Sequence, residues 1–322
     1  MKIRASVIVP TYYRFETFKR CILSLFNQSF DSRTYEIFAV HDGENHGYDM
    51  GLISRWEREH PNFRFTSISR VGASEARNYC MKQCSGEYVL MIDDDCVASE
   101  TWIETLISYM ENHPELVATG GQVLSVQPKT FVQEYIKFKN LLRRPVRNTK
   151  GEVVTLITAN VCYRSSVLKK INGFSRYFQD CGVMIGGEDL DLAFRAKHLG
   201  DLGYCEDAIV HHHHRSSLIA LVKQHFMYGR GVYIACRYNG IAYSDLRFAK
   251  PTWYNLLRHM FLSAGRLVTI SIPEYRKKKL PFWRYIPYFG LDLIRRNTFM
   301  LGAVYEYYRQ GGDKGAISHT AQ

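Results

Sequence analysis

The first part of the chain alternates between continuous apolar runs and segments whose apolar residues recur at helical spacing. A short apolar run closed by turn residues predicts a buried strand, whereas apolar positions three and four apart predict a helix with one packed face. The strands predicted in this way are residues 6–9, 36–40, 63–68 and 88–92, and the helices are residues 14–28, 49–60, 72–84 and 101–112.

Strands that alternate with helices predict right-handed crossovers and a Rossmann-like α/β fold, with a mostly parallel sheet flanked by helices. Ligands of such sheets bind beyond the carboxyl ends of the strands. Pro10 and Thr11, then Asp42, then the acidic run at residues 93–95 follow three of the predicted strands. The sequence therefore predicts that three distant segments line one crevice.

The last third of the chain has a different pattern and a different charge. From residue 252, apolar and aromatic residues form two helical stripes, with a basic run at residues 276–279 between them. Residues 216–322 carry 16 Lys/Arg and 5 Asp/Glu, an excess equal to the net charge of +11 of the whole chain. We therefore predict a catalytic domain at residues 1–215 and a helical, basic and aromatic region at residues 216–322.

This C-terminal region has two interpretations. Apolar stripes with basic flanks and interfacial aromatic residues favour contact with an anionic membrane surface. The alternative is a helical appendage packed on the catalytic domain, with an ordinary solvated basic face.

The composition of the chain limits its predicted cellular location and its predicted binding partners. The eight cysteines include no Cys-x-x-Cys pair, and the first residues lack the apolar core of a signal peptide. No stretch reaches the roughly 18 apolar residues of a transmembrane helix. These features predict a cytoplasmic protein, peripheral on the cytoplasmic face of the membrane. Zinc-finger spacing and RNA-binding signatures are absent from the sequence, so nucleic acid is not a predicted partner.

The acidic run Asp93, Asp94 and Asp95 follows a buried strand directly. Adjacent carboxylates repel one another unless a cation or hydrogen bonds compensate their charge. Hard divalent cations favour such ligands, often together with substrate phosphates. One interpretation is thus a metal site that holds the diphosphate of an activated substrate. The other is an acidic turn that caps the next helix, with Ser99 as the N-cap.

Two further segments carry candidate chemistry. Glu188 and Asp189 follow a glycine pair and open a predicted helix, where a carboxylate can act as a general base or simply favour the first helical turn. Residues 211–214 are four consecutive histidines, and on a strand His212 and His214 share one face. Imidazole is a ligand of Mn or Zn, whereas solvated histidines at a strand end are the alternative.

Taken in order, five segments resemble the motifs of a family-2 glycosyltransferase with the GT-A fold, and the resemblance covers roughly residues 3–240. It implies inverting transfer of a sugar, with Mn or Mg as cofactor, from a nucleoside-diphosphate sugar, a UDP-sugar foremost, to an acceptor hydroxyl. The implied acceptor is a carbohydrate or a lipid-linked molecule in the synthesis of a polysaccharide, glycolipid or glycoprotein glycan. The matching segments are residues 6–13, 40–43, 72–78, 86–95 and 187–195.

The resemblance also implies a role for each matched residue. Asp95 is implied as a metal ligand, Asp93 as a contact of the ribose or the sugar, and Asp189 as the general base. His212 is implied as a second metal ligand, with His214 as the next candidate. The residues matched to the nucleotide sugar are Pro10, Thr11, Tyr12, Asp42, Arg77, Asp93 and Asp94.

Two positions depart from the family pattern, because His41 stands where an acidic residue is usual and Tyr13 stands where Asn is usual. Two rival functions also remain at this point. A sugar nucleotidyltransferase would carry a Gly-rich basic loop after the first strand, whereas this chain has Pro-Thr-Tyr-Tyr-Arg at residues 10–14. A non-enzymatic zinc or nucleic-acid binding module is the other.

Overall fold

The computed structural model describes residues 2–44, 47–141, 145, 147–148, 150–178, 186–246, 249–262, 265 and 267–312. These residues form two compact units. Within the described residues, the first unit takes in those up to 128, residues 139–178 and residues 188–214. The second takes in residues 129–138, 186–187 and those from 215 onward.

The first unit is built on one eight-stranded sheet in the order β3-β2-β1-β4-β7-β6-β8-β5. Only β7 and β5 run against the common direction of the other six strands, so the predicted α/β sheet is confirmed, with two reversed strands. The strands are β1 (Ala5–Thr11), β2 (Tyr35–Asp42), β3 (Phe63–Ile68), β4 (Tyr88–Met91), β5 (Cys96–Ala98), β6 (Leu116–Ser125), β7 (Val161–Arg164) and β8 (Asp201–His212).

Helices cover the sheet and make up most of the second unit. Those of the first unit are α1 (Phe15–Phe26), α2 (Met50–Glu59), α3 (Ala73–Met81), α4 (Trp102–Asn112), α6 (Ser165–Lys170) and α7 (Glu188–Lys197). Those of the second are α5 (Phe131–Lys139), α8 (Leu218–Tyr238), α9 (Trp253–Phe261), α10 (Ile272–Lys277) and α11 (Tyr285–Arg309).

Burial on both faces explains the continuous apolar runs of the central strands. In β1, Val7 and Val9 belong to one buried cluster, while Ile8 belongs to another on the opposite face. Most positions of such a strand are apolar, because helices cover the sheet on both sides. All four predicted strands and all four predicted helices are present within a few residues of the expected bounds.

The strand β6 carried no recognisable signal because a glycine pair interrupts it. A Cβ at Gly121 would overlap the carbonyl oxygen of Ala208, so β8 can approach this strand only where a side chain is missing. The short strand β5 was also missed. Its presence makes the helix-cap interpretation of the acidic run wrong, because β5 follows that run and α4 begins only after Thr101, not after Ser99.

In the second unit, glycines let α8 and α11 pack closely. A Cβ at Gly229 would overlap the backbone of Phe299, and one at Gly302 would overlap that of Phe226. The first predicted apolar stripe spans two helical segments among the described residues, because α9 ends at Phe261 and a π-helix follows at Leu267–Ser271. Among the described residues, no helix combines the length and the apolar character that crossing a bilayer requires.

Candidate active site

The candidate residues meet at one edge of the sheet in the first unit. Thr11 and Asp42 end β1 and β2, the acidic run follows β4, and His212 ends β8. Since these four strands share one direction, their carboxyl ends lie at the same edge. The predicted convergence of distant segments is therefore observed, and it includes the histidine strand.

Asp94 connects β1 to the acidic run. Its buried carboxylate accepts a hydrogen bond from the Thr11 hydroxyl at 2.7 Å, and the same hydroxyl lies 2.6 Å from that of Tyr48. Burial, reinforced by the neighbouring charge of Asp95, raises the pKa of Asp94 to about 7. Asp94 thus faces the protein interior and holds the two strand ends together.

Arg77 connects the acidic run to the start of α7. One guanidinium nitrogen donates to the Asp93 carboxylate at 2.7 Å, and another lies 3.8 Å from Glu188. The side chain is buried, and its Nε has no hydrogen-bond partner among the described residues. A buried guanidinium with donors to spare is suited to a phosphate or a carboxylate.

Asp189 lies in the first turn of α7, next to the residue that Arg77 contacts. The backbone N–H of Leu190 donates to its carboxylate at 2.8 Å. Desolvation by the surrounding protein, and then the charge of Glu188, raise the pKa of Asp189 to about 7. A carboxylate with a pKa near neutrality can accept a proton during a reaction far better than an ordinary aspartate.

Asp95 and His212 face each other across the ladder between β5 and β8. The Nε2 atom of His212 lies 3.2 Å from an Asp95 carboxylate oxygen, and its Nδ1 atom lies 3.0 Å from a ring nitrogen of His214. His214 in turn contacts the Ser125 hydroxyl at 2.6 Å. Burial, and then the charge of His212, lower the pKa of His214 to about 3, so this ring stays neutral and orients His212.

The donor set fits a divalent metal. Asp95, Cys96 and His212 each offer an atom, and these atoms lie within 4.8 Å of one another. Burial raises the pKa of the Cys96 thiol well above its usual value, and hard cations such as Mn and Mg favour oxygen and nitrogen ligands over sulfur. A carboxylate oxygen and an imidazole nitrogen remain, a pair suited to Mn and compatible with Mg.

The other predicted nucleotide residues lie around this edge in different environments. Asp42 accepts hydrogen bonds from the backbone N–H groups of Val71 and Gly72 at 2.6 and 2.9 Å, and so holds the loop that leads to α3. Tyr12 is exposed, with the Arg70 guanidinium 4.8 Å from its ring centre. Pro10, also a predicted contact, is buried within β1.

The two departures from the family pattern lie side by side. Tyr13 adopts a φ of +50°, a left-handed conformation that Asn tolerates better than Tyr. Its ring centre lies 5.1 Å from that of His41, which is fully buried. Burial lowers the pKa of His41, so this position carries a neutral ring in place of an acid.

Sequence reasoning missed Arg14 and Tyr48. Arg14 donates to Asp95 at 2.7 Å and lies 3.4 Å from Asp94, and the Arg14 backbone N–H donates to the Tyr48 hydroxyl at 3.4 Å. The position of Arg14, immediately after the first strand, was a usable signal. Nothing local in the sequence distinguishes Tyr48 from other aromatic residues.

Residues 6–172, just over half of the chain, match the sequence model of the family described as Glycosyl transferase family 2. The chain belongs to this family. The resemblance drawn from its motifs is therefore confirmed. Membership in this family favours sugar transfer over both rival functions, the nucleotidyltransferase and the non-enzymatic module.

Curated relatives include two Haloferax volcanii proteins. Glucosyl-dolichyl phosphate glucuronosyltransferase is 28% identical over 178 residues, which cover 53% of this chain and 56% of that protein. Glycosyltransferase AglE is 24% identical over 230 residues, which cover 70% of this chain and 72% of that protein. The chain thus spans little more than half of the first relative.

Solved glycosyltransferase structures share the fold over most of the chain. A mannosyltransferase from Pyrobaculum calidifontis, in complex with GDP-Man and Mn²⁺, has a TM-score of 0.63 at 16% identity and covers 96% of this chain and 88% of its own. Staphylococcus aureus TarS 1-349 has a TM-score of 0.55 at 17% identity, covering 96% and 92%. These similarities establish that this family-2 enzyme has a GT-A type fold.

Proposed function

We propose that this family-2 enzyme is an inverting, metal-dependent glycosyltransferase that moves a sugar from a nucleoside-diphosphate sugar, with UDP as the preferred nucleotide, to an acceptor hydroxyl. The observation that carries the proposal is the pairing of two sites at one sheet edge. Asp95 and His212 offer a metal site, and Asp93 reaches the start of α7, where Asp189 lies, through Arg77.

Each residue then has a defined task. Asp95 and His212 would hold Mn or Mg, which neutralises the charge that develops on a leaving diphosphate. Asp93 contacts the ribose or the sugar, and Arg77 fixes its carboxylate. Asp189 takes the proton of the acceptor hydroxyl as that oxygen attacks the anomeric carbon from the face opposite the leaving group. One displacement of this kind inverts the configuration without a covalent enzyme intermediate.

The nucleoside is assigned to the ends of β1 and β2. Pro10, Thr11, Tyr12 and Asp42 border this part of the edge, and Tyr12 offers an exposed aromatic face on which a base can stack. Each oxygen of Asp42 accepts one backbone hydrogen bond and keeps a lone pair for a ribose hydroxyl.

A thermal-shift screen of nucleotide sugars tests the proposed donor class. A bound donor stabilises the folded state and so raises the melting temperature. At a donor concentration of about 100 times Kd, the free energy of unfolding rises by about 2.7 kcal/mol. We expect a UDP-sugar to raise the melting temperature in the presence of Mn and to have much less effect in EDTA. If no nucleoside-diphosphate sugar shifts the transition with Mn, the proposal is wrong. Release of pyrophosphate from a sugar phosphate and a nucleoside triphosphate would instead indicate a nucleotidyltransferase.

The acceptor is proposed to be presented at a membrane surface, as a carbohydrate or lipid-linked molecule used in surface polysaccharide, glycolipid or glycoprotein glycan synthesis. The name of one relative, a glucosyl-dolichyl phosphate glucuronosyltransferase, supports a lipid-linked acceptor. The enzyme would then act as a peripheral protein on the cytoplasmic face of the membrane. The charge excess of residues 216–322 supports the same location.

Exposed apolar side chains of the second unit support this location further. The α9 helix runs antiparallel to α11, since Trp253 stacks on Tyr308 while His259 bonds to Asn297. The last residues of α9 therefore lie beside the middle of α11. Among the described residues of the second unit, the most exposed large apolar side chains are Phe261 at 91%, Phe282 at 80% and Ile286 at 79%.

Basic residues lie close to these apolar side chains in the sequence. Arg258 precedes Phe261 on α9, and the exposed run at residues 276–279 ends four residues before Trp283, which is also exposed. Aromatic and aliphatic side chains can insert into the interface of a bilayer, while the flanking lysine and arginine residues contact anionic lipid headgroups.

Sedimentation with vesicles tests the membrane proposal. We expect the wild type to bind vesicles that contain anionic lipid at low salt, and Phe261→Glu combined with Trp283→Glu to abolish binding, because charges would enter the interface. Leu23→Glu, an exposed apolar position on α1, is the matched control and should leave binding unchanged. Equal binding by the double variant, or no binding by the wild type, contradicts the proposal.

A further inference from the structure

Arg14 occupies a position that the proposed mechanism does not use. It lies between β1 and α1, and its side chain is 36% exposed. One guanidinium nitrogen donates to Asp95 Oδ2 at 2.7 Å and lies 3.4 Å from an oxygen of Asp94.

The same carboxylate is the proposed metal ligand. Oδ2 of Asp95 faces Arg14, while Oδ1 faces the Nε2 atom of His212 at 3.2 Å. A divalent ion held by Asp95 and His212 would be in direct contact with the Asp95 carboxylate. A guanidinium that stays 2.7 Å from that carboxylate would then lie within a few ångströms of the ion, and the two positive charges would repel each other. Arg14 and the metal therefore compete for Asp95.

We propose that Arg14 is the resident counter-ion of the acidic run, that a divalent metal displaces it from Asp95, and that the released guanidinium then binds the donor diphosphate. The inference rests on the proposed metal site at Asp95 and His212. It assigns to Arg14 a positioning role toward the metal and a binding role toward the nucleotide.

The physical properties of arginine fit both roles. Its guanidinium is always charged, so it can neutralise carboxylates whenever the metal is away. Its planar fork also matches the oxygens of a diphosphate, which it can bind with two parallel hydrogen bonds. Because the side chain is partly exposed, it can leave Asp95 without crossing a packed core.

Displacement of this kind couples metal binding to nucleotide binding. The metal must break the Arg14–Asp95 contact, which weakens its affinity for the enzyme alone. A diphosphate gives the released guanidinium a new partner, and this restores part of the enzyme's affinity for the metal. Each ligand then strengthens the binding of the other by the same factor.

Titration of Mn²⁺ into the purified protein, followed by calorimetry and by the EPR signal of free Mn²⁺, tests the inference without a turnover assay. We expect Arg14→Met to bind Mn²⁺ alone about two- to fivefold more tightly than the wild type, the scale of a partly exposed ion pair. The same variant should bind UDP more weakly in saturating Mn²⁺. A residue that merely supported the fold would weaken both.

Two further variants complete the experiment. Arg20→Met removes an arginine of the same α1 helix whose Nε donates to the Glu16 carbonyl, and it should change neither affinity. Arg14→Lys keeps the charge but loses the fork, so Mn²⁺ affinity should stay near the wild-type value while UDP affinity falls.

The outcomes separate the two proposals. If the wild type does not bind Mn²⁺, the metal site and this inference are both wrong. If the wild type binds Mn²⁺ and a normally melting Arg14→Met variant binds it equally or more weakly, the metal site stands and the displacement of Arg14 is refuted.

Discussion

Replacing Asp189 with Asn is expected to lower turnover by at least about two orders of magnitude while the protein still folds, because an amide cannot accept the proton of the acceptor hydroxyl. The measurement is the initial rate of sugar transfer with saturating donor. The pKa of about 7 for Asp189 adds a second signature. The wild-type rate should fall about tenfold per pH unit below about pH 7, where the carboxyl is protonated, and level off above it.

The same shift predicts the stability of the variant. Folding raises the pKa of Asp189 above its unfolded value, so this carboxyl destabilises the fold progressively as the pH rises from about 4 to about 7. At pH 8 the Asn variant should therefore melt no lower than the wild type. Asp201→Asn, at an exposed position paired with Lys197, is the control and should keep its rate. Near-normal turnover by folded Asp189→Asn would remove Asp189 from the role of base.

Removal of the metal site is expected to have an effect of similar size. Transfer should stop in EDTA and return with Mn or Mg, because the leaving diphosphate needs a cation. Asp95→Ala should weaken Mn binding by more than about a hundredfold, since loss of a residue that only orients a ligand already costs about 10–100-fold. Direct Mn titration and the rate of transfer measure the two effects.

The histidine run offers a matched comparison for this prediction. His212 faces Asp95, whereas His211 is exposed on the other face of β8. His212→Ala should weaken Mn binding strongly, and His211→Ala should leave it unchanged. Undiminished transfer in chelator, or equal Mn affinity in Asp95→Ala, would falsify the assignment of the metal site.

Arg77 explains how the two halves of the proposed chemistry can be aligned. It is buried, bonds to Asp93 at 2.7 Å and lies 3.8 Å from Glu188, the neighbour of Asp189. A single rigid side chain thus relates the acidic run to the start of α7. The distance between a bound donor and the proposed base then depends on packing in the first unit.

Much of this arrangement could be predicted before any coordinates. The runs around Val7 and Leu90 are apolar at every position because both faces of those strands are buried, and that pattern is visible locally. The strand β6 was not predicted because it contains Gly120 and Gly121. These glycines allow close contact with other segments of the chain, and they leave no apolar pattern in the local sequence. The position of His212 opposite Asp95 was implied by the resemblance, and the ladder between β5 and β8 explains it.

By itself, the sequence determined four of the eight strands, four helices of the first unit and the order of the motifs, because apolar periodicity and turn residues are local properties of a chain. It also determined which residue types were available for a metal, a base and a diphosphate. Only the tertiary structure decided which side chains the three aspartates contact. Asp94 turns to Thr11, Asp93 to Arg77, and Asp95 to both His212 and Arg14. Those partners are distant in the chain, and only the crossovers of the sheet bring them to one edge.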